Sequence, residues 1–178
     1  MASLARWYHG HLTSRPVFTQ AVSTGVLFAA GDGIAQHAVE KRSVGDHDWA
    51  RTGRLSAYGL FALGPALSLW YRFLSRAVTI KSPLGSTVAR AAIDQTVFAP
   101  TNTVCFFTSQ GLMEGKSLEQ VKTKLRDSFW PTYKANCILW PPIQMVNFYF
   151  TPVNYQSLVV NTVALFWNSY LSMANAKK

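Results

Sequence analysis

The chain has 178 residues, enough for one domain with its own core and no need of disulfides. Charged residues make up 14% against about 25% in an average soluble domain, and apolar residues 49%, which argues against an ordinary water-exposed surface and for a membrane or an obligate complex. The net charge is +9, but the Lys and Arg are spread through every loop rather than gathered on one face, so no direct nucleic-acid partner is expected. Mean hydropathy is only +0.08, so any membrane spans are diluted with polar residues.

The chain opens on an amphipathic segment, 3–13, in which Leu4, Trp7, Tyr8, His11 and Leu12 recur at helical spacing. Arg6 and Arg15 accompany them and no acid precedes Asp32, a pattern suited to mitochondrial import or to an interfacial anchor. No secretory signal pattern is present.

Charges then punctuate the sequence. Uncharged runs separate Arg15 from Asp32, Arg54 from Arg72, Asp94 from Glu114 and Lys134 from Lys177. A bilayer core needs about 20 helical residues, so each of the first three runs predicts one span and the last, twice as long, predicts two spans or one span and an embedded helix. The elements expected in order are a helix over about 15–40, with Ser14 as N-cap and Pro16 in its first turn, and a helix over 47–78 kinked at Pro65. A helix over 83–113 kinked at Pro100 follows, then an amphipathic surface helix over about 117–129. A helix over 131–150 disturbed at Pro141 and Pro142, and one over 153–174, complete the chain. The fold class is all-α: an integral membrane helical bundle of four to five proline-kinked spans plus short amphipathic helices, forming one membrane domain over 1–178. The positive-inside rule separates the two faces only if there are five spans.

The expected spans carry polar stripes. In the last helix Asn154, Ser157, Asn161, Ala164, Asn168, Ser172 and Asn175 follow at steps of three or four. Gln144, Asn147 and Thr151 make a shorter stripe, as do Gln95, Ala99, Asn102 and Ser109, and Ala21, Gly25, Ala29, Asp32 and Gln36. Amides facing lipid are costly, so these faces turn inward, either as helix-packing contacts or as the wall of a hydrated pore. The pore-lining candidates are Asp32, Gln36, Asp94, Gln95, Gln144, Asn147, Asn154, Asn161 and Asn168.

Two acids fall within spans. Arg90 lies one turn before Asp94 and is its expected ion partner, whereas Asp32 has no sequence-local counter-charge and only Gln36 one turn away. The two acids are expected at opposite membrane faces, which argues against a catalytic dyad. Cys105 and Cys137 have no metal-type spacing and read as buried thiols. No nucleophile elbow, phosphate loop or zinc motif is readable, so neither an enzyme nor a cofactor nor a metal site is expected.

Trp140-Pro141, Gln144, Asn147-Phe148, Pro152 and Tyr155, then Trp167-Asn168-Ser169-Tyr170-Leu171-Ser172, resemble the C-terminal signature of the Mpv-seventeen / peroxisomal-membrane-protein-twenty-two family. Gly31-Asp32 with Gln36, Gly64-Pro65 with Trp70-Tyr71, and Asp94-Gln95 with Pro100 resemble its earlier motifs, so the likeness covers nearly the whole chain and is closest to the family's fungal Sym-one type. The resemblance implies a multi-pass protein of the mitochondrial inner membrane, with relatives in peroxisomal membranes. It implies a channel-like role that affects metabolite balance, membrane potential and mitochondrial DNA upkeep, and usually four spans. Its partners would be the lipid bilayer and small hydrophilic metabolites or ions, with a homo-oligomer left open. The rival readings are a non-conducting scaffold that organises inner-membrane complexes and a peroxisomal relative.

Overall fold

The computed structural model describes the backbone of residues 2–176 and the side chains of residue 3 and of residues 6–166. Among these residues every regular element is helical: α1 (Ala2–Ser14), α2 (Pro16–Ile34), α3 (Trp49–Tyr58), α4 (Gly64–Ala77), α5 (Pro83–Ile93), α6 (Ala99–Met113), α7 (Leu118–Phe150) and α8 (Val153–Ala176). The chain divides into two compact units, Met1–Tyr71 with Ser157–Lys178, and Arg72–Gln156.

Three π turns punctuate the helices. Ala35–Val39 extends α2, Gly59–Leu63 joins α3 to α4, and Asp94–Phe98 joins α5 to α6. Two of them lie directly before the expected kinks at Pro65 and Pro100. A proline in a helix removes one N–H and crowds the carbonyl four residues back; widening the preceding turn to i→i+5 relieves that crowding. The N–H groups of Gly64 and Ala99 accordingly bond the carbonyls of Gly59 and Asp94.

In α7 the outcome differs from the sequence reading. The surface helix expected over 117–129 and the helix expected over 131–150 form one helix of 33 residues that passes through Pro131, Pro141 and Pro142. Its start is fixed by a capping box, with the Ser117 hydroxyl on the Gln120 N–H and the Gln120 side chain on the Ser117 N–H. The prolines remove donors without ending the helix. The stop comes at Thr151, extended at φ −97° and ψ 127° because Pro152 follows. A second correction concerns the start of α2. Ser14 is not its N-cap: the Ser14 hydroxyl donates back to the Gly10 carbonyl at 2.8 Å and so belongs to α1, leaving Arg15 at the cap position with no side-chain bond.

Within the first unit α1 folds back on α2. Leu12 is fully buried, the Thr19 hydroxyl donates to the His11 carbonyl at 3.0 Å, and Tyr8 and Ser23 hydroxyls meet at 3.0 Å. The tightest contact joins α2 to the π turn and α4. A Cβ on Gly64 would sit 2.6 Å from Ala21 Cα and 2.9 Å from the Gln20 carbonyl, so only glycine allows this backbone approach. α8 docks on α2 through Asn161 Nδ2, which donates to Thr24 Oγ1 at 2.7 Å, and through Leu165 against Gly31.

Among the described residues no helix is long and apolar enough to cross a membrane. The expected apolar spans do not occur in that form. α3, α4, α5 and α6 have 10, 14, 11 and 15 residues, each short of the about 20 a bilayer core needs, because π turns divide the longer helical paths. α7 is long but bears charges over its first half.

The distribution of side chains is inverted relative to a water-soluble protein. More polar than apolar residues are fully buried among those described, while Phe18, Val26, Phe61, Leu69, Ile138 and Phe150 are exposed.

Candidate functional site: two buried polar networks

The first network closes the end of α2 onto the start of α3. The chain leaves the π turn, passes a loop and a short 3-10 turn at Val44–Asp46, and re-enters helix at Asp48. The Asp48 carboxylate caps α3 by accepting from the Arg51 N–H at 2.8 Å. That bond, aided by the charges of Arg54, Arg42 and Arg51, holds the Asp48 carboxyl below its ordinary range, against an opposing effect of burial. Capping sets the register of α3, so Arg51 and Thr52 face α2. Arg51 Nε lies 2.7 Å from Asp32 Oδ1, and its Nη1 lies 2.7 Å from Glu40 Oε1. Asp32 Oδ2 accepts from Gln36 Nε2 at 2.7 Å and from the Thr52 hydroxyl at 2.5 Å. Gln36 is fully buried, and its Oε1 takes the Asp48 N–H at 2.7 Å.

Asp32 and Gln36 are thus brought together as their spacing implies. Asp32 has no counter-charge local in the sequence, and its ion partner is the more distant Arg51. That partner lies on the next helix, beyond the reach of an i, i+4 reading, although the Asp48 cap signal places Arg51 in the first turn of α3. Glu40, Thr52 and Asp48 also belong to this network, and sequence spacing does not point to them.

The second network lies in the other unit. Asp94 opens the second proline-linked π turn and is buried. Its Oδ2 accepts from Gln144 Nε2 of α7 at 2.8 Å and from Gln95 Nε2 at 3.5 Å. Asn147 Nδ2 reaches Gln144 Oε1 at 3.1 Å and the Gln156 carbonyl at 3.2 Å, so the helix break at Pro152 is tied to the same cluster. The Tyr133 hydroxyl donates to the Gln95 carbonyl at 3.0 Å, a carbonyl within the π turn. Arg90, expected beside Asp94, directs its guanidinium to the carbonyls of Ser75 and Val78 at 3.4 Å each, at the end of α4.

Of the other predicted lining residues, Asn161 is fully buried on Thr24, while Gln95 and Asn154 are half-buried. The Asn168 side chain lies outside the described residues, as do those of Trp167, Tyr170 and Ser172 from the motif. Phe148 is buried, Trp140, Pro141 and Tyr155 are half-buried, and Pro152 is exposed. Trp140 Nε1 donates to Asn136 Oδ1 at 3.2 Å. Both cysteines, expected to be buried, are exposed. Among the described residues no group of three or more His, Cys, Asp or Glu could hold a metal ion.

Each network joins its own hydrogen-bonding groups and holds one carboxylate out of water. Asn147 Oδ1 and Asn161 Oδ1 are buried acceptors without a hydrogen-bond partner, which costs about 1–3 kcal/mol each unless something polar reaches them.

Comparison with known proteins agrees with the motifs. The profile of the Mpv17 / PMP22 family matches residues 111–172. The chain is 46% identical to protein sym1 of Aspergillus oryzae over 96% of this chain and 97% of that protein. It is 44% identical to protein SYM1 of Gibberella zeae over 99% of this chain and the whole of that protein. It is 34% identical to the zebrafish (Danio rerio) mitochondrial inner membrane protein Mpv17, over 97% of both chains. No solved structure gives a significant match. Near full-length identity at this level, together with the matched C-terminal motif, shows that the chain belongs to the Mpv17 / PMP22 family.

Proposed function

We propose that this protein is a multi-pass protein of the mitochondrial inner membrane that forms a weakly selective pore for small hydrophilic solutes. The observation that carries the reading is the inverted burial: amides, hydroxyls and two carboxylates inside, large apolar side chains outside. In water such a surface would aggregate; in a bilayer it is solvated by lipid. The helical paths through the π turns support crossing. α3, its π turn and α4 contribute 10, 5 and 14 residues, and α5, its π turn and α6 contribute 11, 5 and 15. At about 1.5 Å per residue each path exceeds the roughly 30 Å of a hydrocarbon core. The π turns and prolines are tolerable there because neighbouring groups such as Tyr133 take up backbone carbonyls. The name of the zebrafish relative supports the membrane assigned.

Pore function rests on the polar residues. Asp94, Gln144 and Asn147 in one unit, and Asn161 in the other, would each contact solute or water in a conducting state, and the unpartnered Oδ1 atoms of Asn147 and Asn161 are the acceptors such contact would satisfy. Basic loops would raise the local concentration of anionic metabolites at the mouths. A second reading has an observation of its own: Gln36 and Gln144 are bonded to protein atoms, as packing residues of a non-conducting scaffold would be. Reconstitution of the purified full-length chain into a planar bilayer separates them. The pore reading expects discrete conductance steps that change in Asn161→Leu. Folded, inserted protein that never conducts would leave the scaffold.

A further inference from the structure

Four polar contacts run in line from the loop after α2 to the buried Asp32 carboxylate. The Arg42 carbonyl lies 3.1 Å from His37 Nδ1. His37 Nε2 lies 3.0 Å from His47 Nδ1. His47 Nε2 lies 2.9 Å from Thr52 Oγ1. Thr52 Oγ1 lies 2.5 Å from Asp32 Oδ2. The two imidazoles stack with centroids 5.0 Å apart, and the Trp49 ring packs on His47 at 4.2 Å.

Both ends of this line, a peptide carbonyl and a carboxylate, can only accept. Each contact therefore needs one hydrogen from the groups between. A neutral imidazole carries one N–H and threonine one O–H. Two neutral histidines and Thr52 supply three hydrogens for four contacts, so the line is complete only with one additional proton. The Arg51 guanidinium is the ion-pair partner of the Asp32 carboxylate, which leaves the imidazoles to carry that proton.

We propose that His37 and His47 together bind a single proton, and that this shared proton fastens the 40–48 loop to Asp32. The proton comes from solvent through His37, which is exposed. The charged groups on the surrounding elements are Asp32 on α2, Glu40 after the π turn, Lys41, Arg42, Asp46 and Asp48 on the loop, and Arg51 and Arg54 on α3. Asp46 is held by the Ser43 hydroxyl at 2.6 Å, and Glu40 lies 3.0 Å from Arg42 Nε as well as on Arg51. The Trp49 ring against His47 favours a cation there. When the proton leaves, one contact becomes two facing acceptors at hydrogen-bond distance, and the line must open at that point. This inference is independent of conduction.

The test uses the full-length chain in lipid nanodiscs with 15N-labelled histidine, followed from about pH 5 to about pH 8. His37 and His47 are expected to move together and to release one proton between them. As it leaves, exchange protection of the Asp48 N–H, which bonds Gln36 Oε1, is expected to fall about tenfold, the worth of one hydrogen bond. His37→Gln and Thr52→Val should each displace the His47 transition, whereas Thr52→Ser and His9→Gln should leave it in place, with circular dichroism confirming that every variant is helical. Independent transitions for the two histidines, each insensitive to replacement of the other, would overturn the proposal. So would constant Asp48 protection across the range.

Discussion

Arg51 Nε stands 2.7 Å from Asp32 Oδ1 and joins the buried end of α2 to the first turn of α3, while the same guanidinium reaches Glu40. The Asp32 side chain is wholly shielded from solvent and that of Arg51 nearly a third exposed. Removing one member of such a pair leaves the other stranded. Arg51→Met should therefore lower stability by about 3 kcal/mol, while Asp32→Asn combined with Arg51→Met should recover at least half of that loss. Denaturation in detergent, read by circular dichroism, measures both. Equal losses in the single and double variants would show that the pair is not coupled.

Helix packing gives a second expectation. Gly64→Ala must push α2 away, because the added methyl meets backbone at 2.6 Å and 2.9 Å. A loss of about 2–3 kcal/mol is expected. Around Gly53 the space a methyl would fill is open, with no atom within 4 Å, so Gly53→Ala should be neutral or stabilise by about 0.5–1 kcal/mol. Melting temperatures of the two variants, measured side by side, decide this.

Acid sensitivity follows from Asp48. Its carboxyl is held below the ordinary value, chiefly by the Arg51 N–H. The stabilisation is present above the unfolded-state value of about 3.9 and is lost as pH falls through the lower folded value. Asp48→Asn keeps an N-cap acceptor but cannot titrate. Between about pH 5 and about pH 2 the parent protein should lose more stability than Asp48→Asn. Parallel loss in both would contradict the assignment.

Gln144 ties α7 to Asp94, and its replacement has a direction set by charge. Gln144→Leu removes a donor from the buried carboxylate and should cost about 2 kcal/mol. Gln144→Glu adds a like charge beside it and should cost more near neutral pH than in mild acid. Thermal unfolding at two pH values distinguishes the variants; identical curves would remove Gln144 from the network.

How much of this is legible in the sequence depends on distance along the chain. The polar stripes are visible because helical spacing is local, and Gln36, Gln144, Asn147 and Asn161 are all buried as the stripes imply. Pro65 and Pro100 are visible as disturbances, but not that a π turn absorbs each of them. Pro141 and Pro142 read as breaks and Pro131 as a helix start, yet α7 runs through all three, because a long helix survives the loss of isolated donors. The partners of Asp32 are illegible for another reason. Arg51, Thr52 and His47 reach it only after the loop has reversed the chain, and no periodic pattern reports a reversal.

The central claim is that the exposed apolar side chains face lipid while the amides face inward. Its most direct measurement is fluorescence quenching by brominated acyl chains, in a Cys105→Ser, Cys137→Ser background that removes the two exposed native thiols. Single cysteines replace Phe61, Ile138 or Phe150, each more than 70% exposed, and Val44, 81% exposed on the charged loop, serves as the aqueous control. Labels at 61, 138 and 150 are predicted to be strongly quenched and closed to a water-soluble maleimide, with the label at 44 showing the reverse. Maleimide reaction without quenching at all three apolar positions would contradict the membrane account.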